Sequence, residues 1–198
     1  MNLIDEVRTV LRQHEALLVH FNTPMSSHDV GYPQDLRDAL ANPQWEMCYS
    51  TILKTDAGPT HGDPADAAAC GSVGIIVDLT PETSIVRVHN CDGGSNGRTW
   101  GPGLGALPSV ESCKQSIEDR TGGHNEWFLS GGKAMGIFCF LHPAVFNPGE
   151  GERSYPIEAV AADFATERFF TATGGQYREL DREAKIWVPR SYAEILPT

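Results

Sequence analysis

The sequence predicts an α+β fold, a mixed or mainly antiparallel sheet with an N-terminal helix and helices between the early strands. Three observations predict it. Leu3, Val7, Val10 and Leu11 recur at helical spacing at the start of the chain. Short aromatic and aliphatic runs of strand length follow, bounded by turn residues. With 20 Gly and 13 Pro, the chain also implies many turns and long loops.

In order, the first helix is capped near Asn2, and Leu17-Leu18-Val19-His20-Phe21 reads as a short buried strand ended by Asn22-Thr23-Pro24. A polar loop, Met25 to Gly31, leads to a helix that starts at Tyr32-Pro33 and stops at Asn42-Pro43. Glu46 to Leu53 reads as the second strand. Val73–Leu79 and Ser84–His89 are expected to pair through a Thr80–Thr83 turn. Val110 to Arg120 is a short helix, followed by a strand opened by Glu126 and by the apolar run Met135–Leu141. The segment from His142-Pro143 to Pro156 reads as irregular. Ile157 to Phe170 is expected as a helix, Ile186-Trp187-Val188 as a strand, and Tyr192 to Leu196 as a last short helix.

At 198 residues, 40% of them hydrophobic, the chain fits one domain over 1–198, with 157–198 a helical and strand appendage packed on it. The formal net charge of -11 is a poor balance for holding a phosphate backbone, so nucleic-acid binding is disfavoured. No apolar run reaches membrane-spanning length. Five cysteines, Cys48, Cys70, Cys91, Cys113 and Cys139, are scattered without CxxC spacing. Cys48 and Cys139 lie in apolar runs and read as buried small hydrophobes. The odd cysteine count and the amphipathic, acidic first residues predict a reducing, cytoplasmic setting.

Chemistry is expected at the strand ends. His20 closes the first strand, Tyr49-Ser50-Thr51 lies in the second, and Glu126 stands between glycines and an aromatic run. Each has an ordinary alternative: a satisfied core histidine, a core aromatic, a common strand pair and a solvated strand-end carboxylate. A metal site from His14, His20, His28 and Asp29 is not expected, because the spacings are wide and lack a helical His-x-x-x-His pair. Cys91, with His89 and His124, suggests a cysteine hydrolase, but no local signature surrounds it.

Three pieces, Leu18-Val19-His20-Phe21-Asn22-Thr23, Cys48-Tyr49-Ser50-Thr51 and Asn125-Glu126-Trp127-Phe128-Leu129, resemble motifs of the ADP-ribosyltransferase superfamily. The resemblance is to its His-Tyr-Glu branch, the poly(ADP-ribose) polymerases and diphtheria-toxin-like enzymes. It implies transfer of ADP-ribose from NAD to an acceptor of unknown identity, or NAD hydrolysis. Glu126 would be the catalytic carboxylate, stabilising an oxocarbenium-like state. His20 and Thr23 would hold the ribose on the adenosine side, and Tyr49 would stack on nicotinamide. Ser50-Thr51 resembles the serine motif of the family's arginine-containing branch, which adds Ser50 as an NAD contact. The loops Thr55–Gly71 and Asn90–Pro108 would rim the cleft. From the charge alone, the competing reading is an acidic, non-enzymatic binding or inhibitor protein that recognises a basic partner.

Overall fold

The structure, a computed structural model, describes residues 2–21, 38, 40–42, 44–56, 73–90, 108–120, 125–140, 166, 168–184 and 186–197. Within them the fold is α+β, with a mixed and mainly antiparallel sheet. The chain divides into two compact units. The first holds Met1–His20, Asp38–Leu53 and Val77–Lys133, and the second holds Phe21–Arg37, Lys54–Ile76 and Ala134–Thr198. The described part of the expected appendage, 157–198, therefore belongs to the second unit together with the run from Ala134.

The first unit begins with helix α1 (Leu3–His14), which buries Ile4, Val7, Val10 and Leu11. Its ends are settled locally. Asn2 Oδ1 accepts the Asp5 N–H at 2.9 Å. Asp5 and Glu6 face the positive end of the helix dipole, with Arg12 and His14 at the negative end. Glu15 closes the helix at φ 50, where its N–H reaches Arg12 O at 3.1 Å. An N-cap of the Asn2 kind contributes about 1 kcal/mol.

Along the chain there follow strand β1 (Leu17–Phe21), β2 (Glu46–Ile52), β3 (Val73–Asp78, of which residues 73–76 belong to the second unit), β4 (Ser84–His89), helix α2 (Val110–Glu118) and β5 (Glu126–Ser130). Within the first unit the order is β4-β5-β2-β1, and the β4–β5, β5–β2 and β2–β1 pairs are all antiparallel. Helix α2 is opened by a reciprocal cap between Ser109 and Ser112, and it packs on α1.

Two expectations change here. The Thr80–Thr83 turn forms, with Thr83 N–H donating to Thr80 O at 2.9 Å, but the strands that it links do not pair. Strand β4 pairs with β5 instead, because their facing residues, Val88 with Trp127 and Ile85 with Leu129, bury one continuous apolar strip. Cys48 is exposed, since the first three residues of β2 lie outside the buried part of the strand; Cys139 is buried as expected. Of the helix expected from Tyr32-Pro33, the described residues Asp38, Leu40 and Ala41 are helical.

In the second unit the order is β3-β6-β7-β8-β9, with β6 (Lys133–Cys139), β7 (Phe169–Thr173), β8 (Gln176–Asp181) and β9 (Ile186–Arg190), followed by helix α3 (Tyr192–Ile195). The β6–β7 pair is parallel, and β7–β8 and β8–β9 are antiparallel. The helix expected over Ile157–Phe170 does not reach its predicted end. Phe169-Phe170 open β7, whose aromatic and β-branched composition suits a strand. Gly174 and Gly175, at φ 61 and 71, then make the two-residue turn into β8. Most of the expected helix lies outside the described residues. Gly136 lets β6 approach β7, since a Cβ there would stand 2.6 Å from the Phe170 ring.

One carboxylate ties this unit together. Glu179 on β8 accepts from Arg168 Nε at 2.8 Å and from Arg190 Nε at 2.8 Å. Arg168 Nη2 also donates to Glu194 O at 2.9 Å, which anchors α3. Burial alone would raise the Glu179 carboxyl, but the hydrogen bonds and charges of Arg168 and Arg190 outweigh it and hold it below its ordinary 4.5. A carboxyl whose folded pKa lies below its unfolded value adds stability that is complete above the unfolded value. That stability is lost as pH falls through the folded value. Glu179→Gln should therefore lower stability near neutral pH by about 1–3 kcal/mol. It should also flatten the loss of stability on acidification below 4.5. Urea denaturation of both proteins from pH 7 to pH 3 (about four units) checks both effects.

Candidate functional site

The first unit carries most of the residues singled out above, and strand register decides which of them meet. Tyr49 on β2 faces Trp127 on β5 in the antiparallel ladder. Directly opposed residues share a face, so both rings lie on the side covered by α2, where Trp127 Nε1 donates to Ser116 Oγ at 2.8 Å. Tyr49 is almost completely buried, and burial, followed by the neighbouring Cys48, pushes its phenol up. Its hydroxyl has no hydrogen-bond partner among the described residues.

His20 joins Tyr49 on that face, with ring centroids 5.7 Å apart in an edge-on contact. Its Nδ1 lies 2.7 Å from Cys48 O. A carbonyl can only accept, so Nδ1 carries the hydrogen and Nε2 is left as an acceptor. Burial lowers the His20 pKa, with the Cys48 hydrogen bond opposing it, and the ring is neutral at pH 7.

Glu126 takes the other face. It is the first residue of β5 and precedes Trp127, so strand alternation turns its side chain away from Tyr49 and His20. One register step beyond the Tyr49–Trp127 pair stands Ser50, which shares the Glu126 face. On the other side of β5, His89 of β4 lies directly across from Glu126. The structure thus brings His20 to Tyr49 and Ser50 to Glu126, with the sheet between the two pairs. The expected cleft lined by His20, Tyr49 and Glu126 together is not what the register builds. Thr23 and Cys91 lie outside the described residues, as do the loops Thr55–Gly71 and Asn90–Pro108 apart from their ends.

A buried polar clamp fixes the backbone on both sides of Glu126. Asn125 is fully buried, and its Oδ1 accepts the Thr51 N–H at 2.8 Å. Its Nδ2 donates to Thr51 Oγ1 at 2.7 Å and to Ser116 O at 2.9 Å. Ser116 Oγ in turn donates to Cys113 O at 2.8 Å while accepting from Trp127. Arg120 Nη1 reaches Thr51 O at 3.1 Å.

Comparison with family models, curated proteins and solved structures finds no match. The site therefore rests on the chain's own geometry.

Sequence reasoning missed two residues in these roles. Asn125 looked like mere context for Glu126, although a polar residue next to an aromatic strand is a candidate anchor. His89 was weighed only with Cys91, although it ends β4 much as His20 ends the apolar part of β1. The Cys113 thiol is buried, and burial pushes its pKa up to about 12, far from that of a reactive thiol. Among the described residues no cluster of three His, Cys, Asp or Glu side chains could hold a metal ion, and no helix is long and apolar enough to cross a membrane.

Asn125→Ala should cost about 2–3 kcal/mol, because it strands the Thr51 amide and the Ser116 carbonyl in a dry interior. Asn125→Asp keeps the shape but loses the donor and should destabilise at least as much. Chemical denaturation of the three proteins measures the difference, and an Ala variant as stable as the parent would show that the clamp does not hold this region.

Proposed function

We propose that the chain breaks the nicotinamide–ribose bond of NAD, as an ADP-ribosyltransferase or NAD glycohydrolase, with Glu126 as its catalytic carboxylate. The observation that carries this reading is that Ser50 and Glu126 share one face on adjacent strands β2 and β5, with β1 next to β2. These are the strands that hold the three family-like motifs. Leaving of nicotinamide places positive charge on the ribose ring, and a carboxylate held rigidly beside it stabilises that charge without reorganisation. Ser50 is suited to orient the ribose by a hydroxyl hydrogen bond. His20 and Tyr49 lie on the helix-covered face, where their rings meet edge-on across β1 and β2 and His20 is hydrogen-bonded to the Cys48 carbonyl.

A second reading, recognition of a basic partner, draws on the net charge of -11. It predicts binding that weakens steeply with salt and no dependence on NAD.

NAD at about a hundred times its dissociation constant should stabilise the fold by about 2.7 kcal/mol. Glu126→Gln should keep that shift and lose about 100-fold to 1,000-fold in NAD cleavage. Ser50→Ala should weaken both binding and turnover. Calorimetric melting with and without NAD, together with nicotinamide release, measures all of these. Wild-type protein that neither shifts with NAD nor releases nicotinamide would remove the proposal.

A further inference from the structure

The face that carries Ser50 and Glu126 holds a third polar residue. His89 is the last residue of β4 and stands directly opposite Glu126 in the ladder. Residues so opposed have Cβ atoms about 4.5–5.5 Å apart, near enough for the two side chains to interact. The irregularity in β4 falls between Ile85 and Arg87, so the pairing from Arg87 to His89 runs in unbroken register. A ring contact supports the facing, since His89 meets Phe128 edge-on at 6.0 Å, and Phe128 shares the Glu126 face two residues along. His89 itself is almost fully buried.

We infer that His89 and Glu126 act as one acid–base pair, in which Glu126 stabilises the ribosyl cation and His89 takes the proton from the nucleophile that attacks it. The inference rests on the NAD reading above. In the step, the bond from the anomeric carbon to nicotinamide breaks, and its electron pair leaves with nicotinamide, which becomes neutral. A lone pair of water or of an acceptor hydroxyl forms the new bond to that carbon. Its proton passes to an imidazole nitrogen, and no other reagent is consumed. The class of acceptor this favours is a neutral hydroxyl, which must lose a proton in the step.

The charges around the ring are consistent with a neutral base. Burial, and then the Arg87 charge on the same strand, lower the His89 pKa. Arg87 lies over the Phe128 ring at 4.6 Å and is held by Glu46 of β2 at 3.3 Å, so its charge is partly answered. From β5, Glu126 is the charged group opposite His89. Helix α2 also packs on β4, but on the face opposite His89, and it carries Glu111, Lys114 and Glu118. Lys114 and Glu118 pair with each other at 3.9 Å, and Glu118 also faces His14 at 3.6 Å.

Two measurements test the pair. In an NMR titration of the His89 ring, replacing Glu126 by Gln removes the opposed negative charge and should lower the His89 midpoint. Identical midpoints in wild type and Glu126→Gln overturn the pair, whether or not NAD is cleaved. In NAD hydrolysis with water as acceptor, His89→Gln should lower kcat by about 100-fold or more. It should also abolish the acid limb of the pH profile and leave KM nearly unchanged. A stable His89→Gln protein with wild-type kcat and pH profile overturns the base role. Wild-type protein that cleaves no NAD overturns the base role through the reading beneath it, and is told apart because the titration coupling would then remain. The titration is made on the Glu126 variant, so it holds even where His89→Gln fails to fold.

Discussion

The Asn125 carboxamide is the contact on which the first unit depends. It is a buried polar group with both ends used, bonded to the backbone and hydroxyl of Thr51 on β2 and to the Ser116 carbonyl on α2. A hydrogen bond of this type adds only about 1 kcal/mol net, but leaving its partners unmade in a dry interior costs more. That asymmetry gives the site its rigidity. A strand end frays when nothing holds it, and Glu126 is at a strand end. With Asn125 pinned before it and Trp127 pinned to Ser116 after it, the carboxylate is carried by backbone fixed on both sides.

The same clamp divides the work of the sheet between its faces. Toward α2 lie Tyr49, Trp127 and Leu129, buried to within a few per cent, with His20 at their margin. Toward the other face lie Ser50 and His89, both buried, and the half-buried Glu126. The second unit is held by a charged device rather than a neutral one, with Glu179 between Arg168 and Arg190. The two differ in what disturbs them: acid weakens the Glu179 cluster, whereas the Asn125 network has no group that titrates.

Much of the fold was legible in the sequence where local rules decide. Asn2 and the 3.6-residue spacing marked α1, a short apolar run ended by turn residues marked β1, and Ser109 lies one residue before the predicted start of α2. Pairing was not legible. The turn at Thr80–Thr83 looked like a hairpin because a turn between two strands does not say whom each strand joins. That choice is made by long-range burial, here of Val88 and Ile85 against Trp127 and Leu129. The Phe169–Asp181 hairpin was missed for the opposite reason, since its strands follow a helical-looking run and the Gly174-Gly175 turn went unread. Strand placement came through for Ser50 and Glu126. The face of each did not, because it depends on register.

Register is also why the separation of His20 from Glu126 carries weight. Side chains alternate with a period of two, so a slip of one residue in β5 would move Glu126 to the helix side and Trp127 to the other. The slip would bury a carboxylate against Cys113 and Ile117 and withdraw the indole N–H from Ser116 Oγ. It would also strip Asn125 from Thr51, leaving at least three polar groups unmade. Each loss alone costs on the order of 1–3 kcal/mol, and burial of the unpaired charge costs more. A domain stable by about 5–15 kcal/mol cannot absorb that sum. The polar clamp and the cost of burying the Glu126 carboxylate therefore select the same register, the one that puts Glu126, Ser50 and His89 on one face.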